Sequence, residues 1–273
     1  MNLANLIWWV GKIPVCGGLL RAVARSFKEG SIVQISTGHA AGYLWKRHRR
    51  YVNGYWVGHY ELPIQEALVR SLGPGMVFFD IGANAGFFTL VGAKRVGSSG
   101  RVVAFDPMPE NIDSIREQIE LNNLKNCRAE LLALGEVEGV APFCFDRPGS
   151  SIAHLGSPSD GEQSIDVRVT TLDSISENNW IPDFIKMDVE GAEVRVLEGA
   201  RRLLREKGPG WLIELHGSEC TSHVISILEE HGYKLYSLEG SLIADEEIPS
   251  HIIACRQDAG IPNCDRDDRR GLW

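Results

Sequence analysis

The chain of 273 residues is 44% hydrophobic and 23% charged, an ordinary soluble composition with enough apolar residues for one large domain and an appendage. Its formal net charge of -8 argues against a nucleic-acid partner, whose phosphates need a cationic face. No apolar run reaches membrane-spanning length, and the six cysteines form neither a Cys-x-x-Cys pair nor a cluster with histidine; zinc and dithiol centres are therefore unsupported, and reduced thiols in a cytoplasmic protein are expected.

Residues 3–10 are apolar and include Trp8 and Trp9; Lys12 and Pro14 interrupt the run before residues 19–24 resume it. A signal peptide is set aside because no positive charge precedes the apolar stretch. The expectation is an amphipathic helix packed on its own domain or on a twin subunit in a homodimer, with a helix lying on a membrane surface as the alternative. Residues 31–60 read as a small β-rich cap with a strand at 32–35. Its rings and bases, among them Trp45, Arg47, Tyr51, Tyr55 and Tyr60, either face a pocket or merely cover a sheet edge. A helix over 61–72 stops at Gly73-Pro74-Gly75.

Residues 76–81 are a short apolar run, the pattern of a strand buried on both faces. The run ends in Asp80, Gly82, Asn84 and Gly86 and passes at once into an all-apolar helical stretch from Phe87. Strand, glycine turn and helix together let backbone N–H groups approach a ligand. The spacing Asp-x-Gly-x-Asn-x-Gly departs from the dinucleotide pattern, and its carboxylate disfavours a pyrophosphate while favouring an amine or hydroxyl donor.

Strands and helices then alternate: strand 101–105 ending in Asp106, helix 111–121, strand 127–134, strand 184–188, helix 193–205, strand 211–215, helix 222–231 and strands 234–237 and 252–255. Such alternation predicts a doubly wound parallel sheet. An inserted antiparallel hairpin, 140–145 with 165–169, carries a loop over 148–164 as its tip. The expected division is a cap over 1–60, a main domain over 61–256 and a flexible tail over 257–273.

Ligands of open parallel sheets sit beyond the carboxyl ends of the strands. Standing there are Asp80 with its glycine turn, Asp106, Asp188 with Glu190, and Glu214 with His216. A carboxylate closing the second strand suits the ribose hydroxyls of an adenosine, the role assigned to Asp106.

The segments Val-Phe-Phe-Asp-Ile-Gly-Ala-Asn-Ala-Gly-Phe-Phe-Thr (77–89), Ala-Phe-Asp-Pro-Met-Pro-Glu-Asn (104–111) and Asp-Phe-Ile-Lys-Met-Asp-Val-Glu-Gly-Ala-Glu (183–193) resemble the FkbM family of S-adenosylmethionine-dependent methyltransferases. Gly58-His59-Tyr60-Glu61, Ala133-Leu134-Gly135 and Thr171-Leu172-Asp173 extend the likeness to roughly residues 54–240. The resemblance implies a class I methyltransferase, Rossmann-like sheet of seven strands with the last antiparallel, and O-methylation of a small molecule, sugar or glycosylated metabolite. It further implies that Asp80, Gly82, Asn84, Gly86 and Phe87 wrap the methionine part of the cofactor, that Asp106 holds the ribose, and that Leu132 and Ala133 flank the adenine. Glu61 and Thr89 are secondary candidates for its amino-acid end. The family usually has glutamate at the place of Asp106, one methylene longer.

An alcohol is a poor nucleophile until its proton is taken, and Asp188, Glu190 and His216 are the candidates, with Lys186 an outsider. Asp188, Glu214 and His216 alternatively suit a divalent cation. Structural roles compete with these readings: Lys186 and Asp188 share a strand face and can pair, and Glu190 and Glu193 favour the start of a helix. Remaining rivals are an NAD(P)-binding oxidoreductase, a cofactor-binding scaffold without turnover, and methylation of protein or nitrogen.

Overall fold

The computed structural model describes residues 27–256 apart from 52, 146–152, 157, 159–161, 178–179 and 245–246. The expectations for the first 26 residues, for the tail and for most of the 148–164 loop lie outside the described residues. The molecule is built on a central strand, β3 (Val77–Ile81), whose residues 78–81 are buried. Phe78 and Phe79 point to opposite faces by strand alternation and seed two apolar layers. Phe78 packs with Leu68, Val91 and Trp45; Phe79 packs with Ile185, Leu197 and Val224.

Beside β3 on one side run β4 (Arg101–Asp106) and β5 (Cys127–Leu131), both parallel. On the other side come β10 (Phe184–Met187) and β11 (Gly210–Glu214), again parallel. The sheet is completed by β13 (His251–Cys255), antiparallel to both β11 and the outermost β12 (Lys234–Tyr236). The order β12-β13-β11-β10-β3-β4-β5 is the seven-stranded, mostly parallel sheet with an antiparallel last strand that the resemblance implied. Its order reverses between β3 and β10, which opens a crevice at their carboxyl ends.

Helices α1 (Leu62–Ser71), α2 (Phe87–Val96) and α3 (Pro109–Leu121) precede β4 or link it to β5. A two-stranded hairpin, β1 (Ile32–Gln34) with β2 (Leu44–Lys46), lies against α3 through Asn122 and Gln118, which accept from the Leu44 and Lys46 amides at 2.7 and 2.9 Å.

Four features differ from the sequence reading. The single strand expected over 127–134 is two, because at Leu132 the chain leaves the main sheet; its amide donates to Asp106 O at 3.2 Å. The continuation, β6 (Ala133–Leu134), pairs with β9 (Gln163–Thr170), and β7 (Gly139–Phe145) and β8 (Ala153–Leu155) complete a four-stranded sheet where a two-stranded hairpin was expected. The helix over 193–205 is broken into α5 (Glu193–Glu198) and α6 (Arg201–Glu206) at Gly199, where a Cβ would lie 2.0 Å from the Gly135 carbonyl oxygen. Asp173, on the unexpected short helix α4 (Leu172–Glu177), supplies the cap: its carboxylate accepts from the Arg202 and Leu203 amides at 2.9 and 2.8 Å. Finally, Cys255 is disulfide-bonded, against the expectation of reduced thiols; Cys127, Cys144 and Cys220 are free.

Candidate active site

At the end of β3 the backbone must turn beside β10 with almost no room. A Cβ on Gly82 would stand 1.8 Å from the Asp188 carbonyl oxygen, and its φ of 72 lies in the left-handed region. Gly82 and Ala83 donate their amides to Phe105 O at 3.0 and 3.1 Å, so three strand ends are drawn together. Above them lies a cavity of about 440 Å³.

One end of the cavity is apolar and set beside a carboxylate: Phe105, Pro107, Met108, Leu132, Ala133 and Leu134 line it with Asp106. Asp106 is 4% exposed. Its Oδ1 accepts from Met108 N and Asn111 Nδ2, and its Oδ2 from Asn84 N, all at 2.9 Å. A carboxylate has about four acceptor positions, which leaves one free on Oδ2. Burial pushes its pKa up to about 6 against the pull of those three donors.

The other end is acidic, with Glu61, Asp188, Glu190 and Glu214 around Lys186. The Lys186 Nζ lies 3.5 Å from Asp188 Oδ2 and 3.9 Å from Asp80 Oδ1. Burial pulls its pKa down, but the Asp188, Asp80, Glu61 and Glu214 carboxylates outweigh that and hold it above the ordinary lysine value. Lys186 is therefore an ammonium without a lone pair to accept a proton.

Burial pushes Glu190 up to about 7, reinforced by Asp188 and opposed by His216. Burial also raises Glu61, against the Tyr60 phenol and Lys186.

The walls come from outside the main sheet. Asn53, Tyr55 and Tyr60 descend from the cap, and Phe143 and Leu155 reach in from β7 and β8. Tyr55 stacks on Phe87 at 5.5 Å between ring centroids and meets Tyr60 edge-on at 4.7 Å. Tyr60 lies in the Gly58-His59-Tyr60-Glu61 motif and Tyr55 in the dense rings ahead of it, whereas Phe143 and Leu155 carry no period or motif of their own.

Of the residues singled out in the sequence, Glu61, Gly82, Asn84, Phe87, Asp106, Leu132, Ala133, Lys186, Asp188, Glu190 and Glu214 line the cavity. Asp80, Gly86 and His216 are not among its lining residues. Asp80 is fully buried below the floor, where it accepts from Thr89 Oγ1 at 2.7 Å and so ties the first turn of α2 to β3. Gly86 is the cap of α2 and packs on Ile115. His216 stands behind Glu190. Its Nδ1 is 2.8 Å from Glu193 Oε1, and its Nε2 is 3.4 Å from Glu190 Oε2 and 3.8 Å from Glu214 Oε1. The Glu193 hydrogen bond raises His216 to about 9 despite burial, so its ring is charged at neutral pH.

Four non-glycine residues among those described have a left-handed backbone: Glu61, Asn84, Asn123 and Glu190. Three of them line this cavity. An L-residue held there costs about 1–2 kcal/mol, and such strain concentrates at functional sites. The Asn84 Oδ1 is moreover buried without a hydrogen-bond partner in the protein. An apolar slot beside a carboxylate, an acidic far end and an open acceptor between them fit a nucleoside that carries a cationic tail.

A family model described as a methyltransferase FkbM domain matches residues 80–235. A protein named methyltransferase 1 of Beauveria bassiana is 27% identical over 141 residues, 44% of this chain and 56% of that protein. The 31-O-demethyl-FK506 methyltransferase FkbM of Streptomyces tacrolimicus is 26% identical over 222 residues, 70% of this chain and 84% of that protein. The solved structure of a methyltransferase FkbM from Methylobacillus flagellatus is 20% identical and covers 68% of this chain and 47% of its own, with a TM-score of 0.47. The chain thus spans about half the length of the first and last of these relatives, at 56% and 47%.

Proposed function

The chain belongs to the FkbM methyltransferase family, and from that membership we propose that it moves a methyl group from S-adenosylmethionine to a hydroxyl of a small molecule, sugar or glycosylated metabolite. The observation that carries the reading is the gathering of Glu61, Asn84 and Glu190, all with left-handed backbones, around one cavity. When bound, S-adenosylmethionine supplies a methyl group already activated by its sulfonium, so the protein's task is alignment, proton removal and exclusion of water.

The residues divide accordingly. The free acceptor position on Asp106 Oδ2 takes a ribose hydroxyl, while Met108, Leu132 and Ala133 enclose the adenine. Glu61 and the unpartnered Asn84 Oδ1 receive the ammonium of the amino-acid end. Asp80 acts through others, holding Thr89 beneath the floor and Lys186 at the cavity's edge. Tyr55, Tyr60, Phe143 and Leu155 exclude water and shape the acceptor's seat.

Glu190 takes the acceptor's proton. It faces the cavity and ionises at about 7, close to the ideal for a base working at neutral pH. His216 does not compete for that role, because a charged ring with Nδ1 committed to Glu193 has no lone pair to offer. It steadies the Glu190 carboxylate instead. A metal-assisted version has one observation in its favour: Asp188, Glu214 and His216 offer ligand atoms within 4.8 Å of one another, and it requires His216 to give up its proton on binding the cation.

Calorimetry with S-adenosylmethionine, S-adenosylhomocysteine and NAD tests the cofactor. Binding of the first two and not the third is expected, and the opposite pattern removes the proposal. Transfer of a labelled methyl to a panel of sugars, phenols, amines and peptides, with and without a chelator, then reads the acceptor class and separates a plain base from a bound cation.

A further inference from the structure

The donors that fix the Asp106 carboxylate lead away from the cavity and into the cap. Asn111 gives Nδ2 to Asp106 Oδ1 at 2.9 Å, and its own Oδ1 accepts from the Tyr51 hydroxyl at 2.7 Å. Tyr51 is buried and is not among the residues lining the cavity. Its hydroxyl instead meets the first turn of α3. The phenol has one proton and two acceptors within reach. The Glu110 carbonyl oxygen is the farther, at 3.3 Å, and already receives Arg50 Nη2 at 2.8 Å. The proton therefore belongs to Asn111 Oδ1. Burial pushes the Tyr51 phenol up to about 12, so it stays a donor at any working pH. An amide gripped by an O–H on its oxygen and a carboxylate on its nitrogen has one orientation that satisfies both. Turned over, it would set its oxygen against the Asp106 carboxylate and drive the phenol's proton onto the Glu110 carbonyl. Tyr51 thereby locks Asn111, and Asn111 with the Met108 amide pins Asp106 Oδ1. The open acceptor position on Oδ2 is left at a fixed place.

We propose that Tyr51 is a positioning residue for the cofactor: acting through Asn111, it presents the Asp106 carboxylate to the ribose, and so makes the cap part of the cofactor's seat. The inference rests on S-adenosylmethionine occupying this cavity. The cap is tied to α3 at further points, where Glu117 takes Lys46 Nζ and His48 Nε2, each at 2.6 Å. Tyr51 also meets Tyr55 edge-on at 6.3 Å between ring centroids, and Tyr55 lines the cavity with Asn53 and Tyr60. One segment thus shapes the acceptor's side of the chamber directly and the ribose's side through a single hydroxyl. Preorganisation of this kind matters because a carboxylate free to swing must be ordered by the ligand at the ligand's expense.

Calorimetry on the full chain with S-adenosylhomocysteine and with its 2′,3′-dideoxyribose analogue tests this. The parent protein should bind the first about 10-fold tighter or more, since the analogue leaves a buried carboxylate unpaired. Tyr51→Phe should weaken S-adenosylhomocysteine about 3–10-fold and the analogue less than ~2-fold, because only the ribose hydroxyls read where the carboxylate stands. Asn111→Ala should give the same pattern, and adding Tyr51→Phe to it should cost nothing further. A general loosening of the cap would weaken both ligands alike, and that result overturns the proposal. So does an unchanged S-adenosylhomocysteine affinity in Tyr51→Phe, or additive losses in the double variant. A parent that binds both ligands equally sinks the role of Tyr51 while leaving the cofactor in place. A parent that binds neither removes the cofactor assignment, and the role of Tyr51 with it.

Discussion

Glu190→Gly should stabilise the protein, and more so in base than in acid. The left-handed backbone at φ 49 costs a side-chain-bearing residue about 1–2 kcal/mol. Glycine's looser unfolded chain returns about 0.5–1 kcal/mol of that, leaving a pH-independent gain of roughly 0.5–1 kcal/mol. The carboxylate adds a second contribution, because burial and Asp188 push it up to about 7 from an ordinary 4.5. Unscreened, the shift would correspond to about 3 kcal/mol; the side chain is 31% exposed, and solvent screening reduces that to roughly 1–1.5 kcal/mol. The raised value means that the folded protein binds the proton more tightly than the unfolded chain. The penalty is thus absent below the unfolded value of 4.5 and complete above about 7. Glu190→Gly should gain about 2 kcal/mol near pH 8 and under about 1 near pH 5. At about 2–4 °C per kcal/mol for a chain of this size, Tm rises about 4–8 °C at the higher pH. Glu190→Gln, which keeps the backbone strain, should gain only the pH-dependent part. Melting curves of both variants at the two pH values decide it. A Glu190→Gly protein no more stable than its parent at either pH refutes the strain, and an identical gain at both refutes the charge.

In catalysis the same carboxylate should make kcat/KM for methyl transfer rise with pH through about 7. Glu190→Gln should lower kcat by about 10²–10⁴-fold while leaving S-adenosylhomocysteine affinity in place; unchanged kcat would move the base elsewhere. Gly82→Ala forces a methyl to within 1.8 Å of the Asp188 carbonyl oxygen, and a loss of about 3 kcal/mol or more should show in the urea midpoint. Asp106→Asn turns one oxygen into an N–H₂ facing a donor that has no other acceptor; calorimetry should show S-adenosylhomocysteine affinity about 10-fold weaker or worse, at a stability cost of about 1–3 kcal/mol.

The β3 strand, its glycine turn and α2 were legible in the sequence because burial on all sides leaves an unbroken apolar pattern, and the turn needs glycine for want of room. Asp106 was legible as a strand end, and parity along β10 put Lys186 and Asp188 together, as the 3.5 Å contact between them bears out. The split of residues 127–134 was not legible. Arg128 and Glu130 alternate with apolar residues in the first half and the second half is apolar, but no turn residue marks the boundary, and the sheet each joins is decided by a distant partner, Val169 and Thr170 for β6. Helix α4 escaped notice since Ser174 and Ser176 are poor helix formers, and its Asp173 serves another helix rather than its own. The cavity wall was legible in part: the rings ahead of Glu61 were read as facing a pocket or covering a sheet edge, and Tyr55 and Tyr60 line the cavity, whereas Phe143 and Leu155 join them only through the fold, from stretches with no common spacing. That His216 is held by Glu193, and so is closed to proton acceptance, depends on a carboxylate on a different element and on which ring nitrogen faces it.

The four-stranded sheet leaves the frame at Leu132 and returns at Thr171, and between those points its ladder is its own. A segment hinged at two neighbouring points behaves as an exchangeable panel. Lengthening, trimming or transplanting residues 136–168 reshapes one side of the chamber while every strand of the load-carrying frame, and the seat of the methyl donor within it, stays where it is. A single scaffold can in this way present one unchanging reagent to many differently shaped guests.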